Sequence, residues 1–290
     1  MKNIVTNVDS KSPLSESIKT LRTNLQFMRP SKGLQSVLVT STLPTEGKSW
    51  VSSNLAVAFA QTGKKTVLID GDMRKGTLHL LFDLPMTPGL SNFLSGVNLD
   101  SNNDNDGYRN VEDINEINEN DLKAVVQPTE VDNLFVITTG EIPPNPSELI
   151  MSDRMELLLN QLEEFADVVI FDGTPSVLVT DAIILSRIVN STVIVAEYNR
   201  TKMNNLKQVK EDIEKVGGKI AGVVLNKIPE KESVYGYGYG YGYGYGYNAL
   251  EKVKSKKEKF DFFNDSTNDN KSSLRNVPRS YKRDKKRRRK

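Results

Sequence analysis

The 290 residues contain no cysteine, which excludes both a disulfide framework and a thiolate metal site. Histidine occurs once, as His79, so a multi-histidine zinc site is excluded too, and His79 reads as an ordinary surface residue. No apolar run approaches the ~18 residues that a membrane-spanning helix needs, and Met1-Lys2-Asn3 opens no signal-peptide pattern. A cytosolic chain is the expectation. A uniformly basic surface is also missing. Residues 251–290 hold 16 Lys/Arg against 6 Asp/Glu, which leaves the first 250 residues with 23 against 31. A basic tail on an acidic body points to a local electrostatic contact, and nucleic acid is not expected as a partner.

Against these absences stands one dense stretch, Val37-Leu-Val-Thr-Ser-Thr-Leu-Pro-Thr-Glu-Gly-Lys-Ser49. An apolar, β-branched run feeds a loop that ends in Gly47-Lys48-Ser49, and a helical pattern follows at once. Strand, loop, Gly-Lys-Ser and helix in that order make a phosphate cradle, because loop N–H groups and a helix N-terminus then face an anion. Lys48 adds a point charge, and the Ser49 hydroxyl can take a place on Mg²⁺. Candidate nucleotide contacts are therefore Thr42, Pro44, Thr45, Glu46, Gly47, Lys48 and Ser49, with Trp50, the only tryptophan, packed near the loop. Thr42 stands where the consensus opens with glycine.

Two more apolar runs end in carboxylates. Thr66-Val-Leu-Ile-Asp70 leads into Gly71-Asp72-Met73-Arg74, and Asp167-Val-Val-Ile-Phe-Asp172 ends in a single aspartate. Ligands of open parallel sheets bind at the C-terminal strand ends. Asp70 and Asp72 there suit a Mg²⁺ ligand and a proton acceptor, and Asp172 suits a second carboxylate on Mg²⁺. Asn226 closes the run Lys219–Asn226 on the same edge, where its amide could read a purine base.

The remaining pattern alternates helix and strand. Residues 12–28 read as a helix capped by Ser12, with Pro13 at its first position and a stripe of Leu14, Ile18, Leu21, Leu25 and Met28 facing the body. Glu16, Lys19 and Arg22 fall on the other face, for solvent or a neighbouring subunit. Ser49–Thr62 reads as a helix stopped by Gly63, Leu99–Asp121 as an acidic surface loop, Leu134–Thr139 and Ser191–Glu197 as strands. Ser147 reads as one helix cap and Asp181 as another, for Ala182–Val189. Apolar strands without a period of two, alternating with helices, define an α/β phosphate-loop fold with a mostly parallel sheet covered on both faces.

From Tyr235 the chain alternates tyrosine and glycine through Tyr237, Tyr239, Tyr241, Tyr243, Tyr245 and Tyr247. Glycine at every second place rules out a packed helix. A flexible arm is expected, acting as an adhesive or stacking segment, or as a phosphoacceptor array gaining about −1.5 to −2 charges per phosphate.

The phosphate loop, Asp70-Gly-Asp-Met-Arg74, the strand ending at Asp172 and the tyrosine cluster together resemble the bacterial tyrosine kinases of capsular and exopolysaccharide biosynthesis, in their cytoplasmic Gram-positive type. The resemblance spans about residues 12–250. It implies Thr42–Ser49 as the Walker A motif, with Lys48 on phosphate and Ser49 on Mg²⁺. Asp70 and Asp72 form the second acidic motif, one of them helping to deprotonate the attacking tyrosine, and Asp172 is the Walker B carboxylate. ATP and Mg²⁺ are the implied cofactors, and the seven tyrosines the autophosphorylation sites, served in trans within a ring-shaped octamer. The implied organisation is an arm and helix over residues 1–30, a kinase domain over 31–230, the tyrosine cluster over 231–250 and a basic tail over 251–290. Implied partners are a separate transmembrane modulator or polysaccharide co-polymerase and a phosphotyrosine phosphatase, at the inner face of the membrane, where the basic tail could touch anionic lipid. The family's ring contact, Glu-x-x-Arg-x-x-Arg, here reads Glu16, Lys19, Arg22, and its Asp-Thr-Pro-Pro reads Asp172-Gly-Thr-Pro175, which alters the turn. The rival reading is a positioning ATPase of the ParA/MinD type, whose signature lysine is replaced here by Leu43. A third is an ATP-regulated nucleic-acid binder using the tail and the aromatic repeat.

Overall fold

The computed structural model describes residues 4, 6, 9–28, 35–96 and 119–229. The Tyr-Gly arm, the basic tail and most of the acidic stretch lie outside the described residues. Within it, Glu119–Val125 is helical, so the expected loop ends before Asp121.

The apolar runs form the sheet. Seven strands lie in the order β3-β4-β2-β5-β1-β6-β7. They are β1 Ser36–Ser41, β2 Thr66–Asp70, β3 Gln127–Pro128, β4 Leu134–Ile137, β5 Val168–Pro175, β6 Ser191–Glu197 and β7 Ile220–Asn226. Every neighbouring pair is parallel except β3 with β4. Side chains along a strand point alternately to its two faces. Val37 and Val39 accordingly enter one core cluster with Leu55, Phe59 and Ile170, while Leu38 enters the other with Ile69, Phe171 and Leu158. Burial on both faces explains why the run Val37–Val39 of β1 is apolar without a break, each such side chain contributing ~1.5–3 kcal/mol.

Register places the site. Asp70 of β2 pairs with Asp172 of β5, and Val39 of β1 pairs with the same Asp172. Three strand ends therefore open on one edge. β5 runs on to Pro175, so the segment Asp172-Gly-Thr-Pro175, expected as a turn, is strand.

Helices cover the faces: α1 Pro13–Phe27, α2 Lys48–Ala60, α3 Leu78–Phe82, α4 Leu90–Leu94, α5 Glu119–Val125, α6 Pro146–Met151, α7 Asp153–Phe165, α8 Asp181–Ile188 and α9 Met203–Lys215. Helix α1 starts as expected, with the Ser15 N–H donating to the Ser12 hydroxyl at 3.2 Å. Its packed stripe is narrower than expected. Ile18 and Leu25 are buried, but Leu14 in the first turn is 57% and Met28 at the C-cap 48% exposed. Arg22 also departs from expectation: its Nη1 donates to the Ala58 carbonyl of α2 at 3.0 Å. Glu16 and Lys19 stay on the open face, paired with each other at 2.8 Å.

Three smaller expectations change as well. Asn145, with Pro146 in the first turn, occupies the N-cap expected for Ser147. Thr180 occupies the cap expected for Asp181, which is the first residue of α8 and fully buried. His79 is half-buried, with Nδ1 buried and unpaired among the described residues.

Candidate active site

The phosphate loop runs from the end of β1 into α2, and its shape follows from what holds its backbone. Gly47 has φ +101°. A Cβ there would be strained at this φ and would stand 2.0 Å from Asn226 Nδ2, so a side chain would displace that amide. Thr45 has φ +67°, which costs a β-branched residue ~1–2 kcal/mol. Two neighbours hold it: Lys227 Nζ donates to its carbonyl at 2.7 Å and Arg200 to its hydroxyl at 3.0 Å. Asn226 Nδ2 donates to the Glu46 carbonyl at 2.9 Å. Two of the loop's carbonyls, those of Thr45 and Glu46, are thus tied back toward the end of β7.

Glu46 is fully buried, and neutral donors hold its carboxylate. It accepts from the Thr42 hydroxyl at 2.9 Å and from the Leu43 N–H at 2.9 Å, and Thr201 donates to it as well. These donors satisfy a polar group that burial would otherwise leave unpaired. Thr42 therefore has a use that the consensus glycine could not supply: its hydroxyl fixes the loop through Glu46.

Lys48, Asp70, Asp72 and Asp172 converge at the strand ends. Lys48 Nζ lies 3.4 Å from Asp72 Oδ2, 3.5 Å from Asp172 Oδ1 and 3.3 Å from Ser49 Oγ. Burial pulls the lysine down, but Asp172, Asp72 and Asp70 outweigh it and hold the ammonium above its ordinary value. Burial pushes Asp172 up, against the opposing pull of Lys48. Burial also raises Asp70, to about 7, with Asp172 adding to the rise and the Leu78 N–H opposing it. Asp70 Oδ2 accepts from that N–H at 2.9 Å, and Oδ1 from the Asp72 N–H at 3.3 Å.

The donor set fits a magnesium–nucleotide complex. Asp172 Oδ2 is buried and finds no donor among the described residues. Three carboxylates face one ammonium, a deficit that a divalent cation matches. No cluster of three or more His, Asp or Glu among the described residues is arranged to hold a metal by itself. Mg²⁺ binds through one or two carboxylates plus phosphate, so the nucleotide itself would complete such a site.

Sequence reasoning missed two groups here. Arg74 grips the buried Asp181 through Nε at 2.9 Å and Nη2 at 3.2 Å, and Nη2 also meets Ser147 Oγ at 3.1 Å. This fastens the loop after Asp72 to α8 and α6. Arg200, Thr201 and Lys227, with Glu197, form the brace beneath the phosphate loop. Lys227 had the one available signal, its place directly after Asn226. Trp50 is half-buried against the core beside α3 and lines a cavity that begins at Ser49.

A parallel sheet whose central strands deliver a Gly-Lys-Ser loop and acidic strand ends to one edge defines a P-loop nucleotide-binding protein. In agreement, residues 45–224 match the family model described as an AAA domain. The chain is 39% identical to CapB of Staphylococcus aureus, covering 78% of this chain and 90% of that protein. It is 35% identical to the tyrosine-protein kinase YwqD of Bacillus subtilis, covering 81% and 90%. The crystal structure of the chimerical protein CapA2B2 superposes with a TM-score of 0.67 at 37% identity, covering 79% of this chain and 92% of that one. The chain belongs to the bacterial tyrosine kinases. The Pyrococcus furiosus cell division ATPase MinD, at 22% identity and a TM-score of 0.50, shares the fold alone.

Proposed function

We propose that this tyrosine kinase transfers the γ-phosphoryl group of ATP to tyrosines of its own kind, among them Tyr235, Tyr237, Tyr239, Tyr241, Tyr243, Tyr245 and Tyr247. Lys48 and the loop N–H groups bind the phosphates. Mg²⁺ held by Ser49, Asp72 and Asp172 would offset charge on the β- and γ-phosphates. Asp70 takes the proton from the attacking phenol. The phenolate oxygen then bonds to the γ-phosphorus as the bond from that phosphorus to the bridging oxygen breaks, and ADP leaves with the electron pair. The observation that carries this assignment is Asp70 itself. Its strand end pairs in register with Asp172, beside Asp72 and Lys48, and burial together with Asp172 raises its carboxyl to about 7.

The wider reading follows the family. Phosphorylation in trans within a ring, an octamer in the family pattern, would control capsule or exopolysaccharide polymerisation. A separate transmembrane modulator, a polysaccharide co-polymerase, recruits the chain to the inner face of the membrane, and a phosphotyrosine phosphatase resets it. The ring contact rests here on Glu16 and Lys19, since Arg22 bonds within its own subunit. The basic tail, residues 251–290, adds contact with anionic lipid at ~1 kcal/mol per basic residue near the surface. Among the described residues no helix is long and apolar enough to cross a membrane.

The test is incubation of the purified chain with ATP and Mg²⁺, with and without the modulator's cytoplasmic segment, followed by phosphotyrosine mapping. Label on Tyr235–Tyr247 is expected; no label in either case removes the proposal.

A further inference from the structure

One buried carboxylate next to the site has no part in the proposed reaction. Asp181, the first residue of α8, has a fully buried side chain. One arginine and one hydroxyl occupy its oxygens. Arg74 Nε donates to Oδ2 at 2.9 Å and Nη2 to Oδ1 at 3.2 Å, while Ser147 Oγ donates to Oδ1 at 2.5 Å. Arg74 Nη2 also donates to Ser147 Oγ at 3.1 Å, so the three side chains close on one another. A forked pair of this kind fixes direction as well as distance.

What the fork holds is the segment 71–77, which joins β2 to α3 and carries Asp72. Most other side-chain bonds that shape this segment use the reacting groups. The Asp72 N–H donates to Asp70 Oδ1 at 3.3 Å, and the Lys75 N–H to Asp72 Oδ1 at 3.0 Å. At the far end the Leu78 N–H donates to Asp70 Oδ2 at 2.9 Å. Each acceptor here is a carboxylate that takes up a proton or a cation in the proposed reaction, so these bonds weaken while the site is in use.

Two polar attachments to the rest of the fold avoid those carboxylates. The Gly71 N–H donates to the Asp172 carbonyl at 2.9 Å, and Arg74 grips Asp181 and Ser147. Met73 is buried in the core between them, but apolar contact is non-directional. Asp72 is therefore suspended between a backbone bond on one side and the fork on the other. Helix α8 is in turn tied to β5, since the Ala182 N–H donates to Thr174 Oγ1 at 3.2 Å. The strand that carries Asp172 thus anchors the mount of Asp72 as well.

Resting on the kinase reading above, we propose that Arg74 is a positioning residue: through Asp181 and Ser147 it holds the Asp72 carboxylate where that group meets Mg²⁺ on the nucleotide. It acts through Asp72 and not by contact with the reacting atoms. Lysine, a single point charge, cannot reproduce the fork.

Calorimetric titration of the full chain with ADP, in Mg²⁺ and again in EDTA, reads the metal's contribution without any turnover. In Arg74→Ala and in Asp181→Asn the ratio of the two affinities should fall about tenfold from the parent's, the lower end of the cost of losing a partner that orients a metal ligand. The affinity in EDTA should stay within about twofold of the parent's, and the Arg74→Lys ratio should lie between parent and Arg74→Ala. The double variant should lose no more than either single one, because both remove the same contact. In the phosphorylation assay the half-saturating Mg²⁺ concentration should rise by the same factor. Circular dichroism checks each fold; if Arg74→Ala does not fold, Arg74→Lys and Asp181→Asn decide alone. A lowered melting temperature with an unchanged ratio makes the fork merely structural and overturns the assignment. So does a parent indifferent to Mg²⁺, a matching loss in EDTA, or additive losses in the double variant. If the parent labels no tyrosine, the kinase reading fails, while the ADP titrations still decide whether Arg74 serves the metal.

Discussion

The two sides of the nucleotide edge are built on opposite electrostatic terms. At β1, β2 and β5, three buried carboxylates crowd one lysine, and Asp172 Oδ2 has no donor among the described residues. At β6 and β7, each charge is answered: Glu197 meets Arg200 at 2.9 Å and Lys227 at 3.0 Å, and these cations also secure Thr45. The first side gains most from a ligand that brings positive charge and phosphate. The second is complete by itself and keeps the loop in shape. Chemistry and scaffolding are thus divided across one sheet edge, with the phosphate loop between them.

Substitutions should expose this division, beginning with the reactive side. Lys48→Met should lower tyrosine phosphorylation by ~10³-fold or more, as loss of a cation at developing phosphoryl charge does. Circular dichroism should show the fold retained; activity within tenfold of the parent would mean that the lysine is not on phosphate. Asp70→Asn should cost ~10²–10⁴-fold, the usual range for a general base. The parent's rate should climb with pH through about 7, and the variant should lose that limb.

The same residue gives a stability signature. Asp70 rises from its ordinary 3.8 to about 7 on folding, so between these values the native chain holds a proton that the unfolded chain has released. Its favourable contribution is full below about 4 and lost as pH rises through about 7. Thermal melts of the nucleotide-free protein should show the parent losing stability as pH rises from about 4 through about 7, and Asp70→Asn losing less over the same range.

Smaller effects belong to the scaffolding side. Glu46→Ala leaves the part-buried Leu43 N–H and the buried Thr42 hydroxyl without an acceptor, worth ~1–3 kcal/mol. Weaker ATP binding by about 5–150-fold is expected in a nucleotide titration, the same energy expressed as an equilibrium. Arg200→Ala should do least. Its side chain is 52% exposed, and ion pairs of that kind contribute ~0–1 kcal/mol. If Arg200→Ala weakened ATP binding as much as Glu46→Ala, the scaffold would depend on its surface pairs and not on its buried carboxylate.

The reactive side was the more legible in sequence. Strands β1, β2 and β5 announce themselves because burial on both faces requires continuous apolar runs, and the run's last residue marks the edge. Lys48, Asp70, Asp72 and Asp172 follow from that logic. The scaffolding side left almost no local trace. Thr201 reaches Glu46 across 155 residues, and Arg74 reaches Asp181 across 107. An isolated threonine or arginine carries no pattern that foretells such a partner. Asp181 looked like a cap for a sound local reason, yet burial beside Arg74 claimed its carboxylate first.

Gly47 has a consequence for the order of assembly. The residue sits against the Asn226 amide, and that amide lies 180 residues further along the chain from the carbonyl it holds. A ribosome has threaded the phosphate loop into the world long before it reaches β7. Until then the loop lacks its clamp, and the growing chain has strands and a helix but no finished cradle. Competence to hold ATP is therefore acquired late in synthesis, when the last strand of the sheet docks.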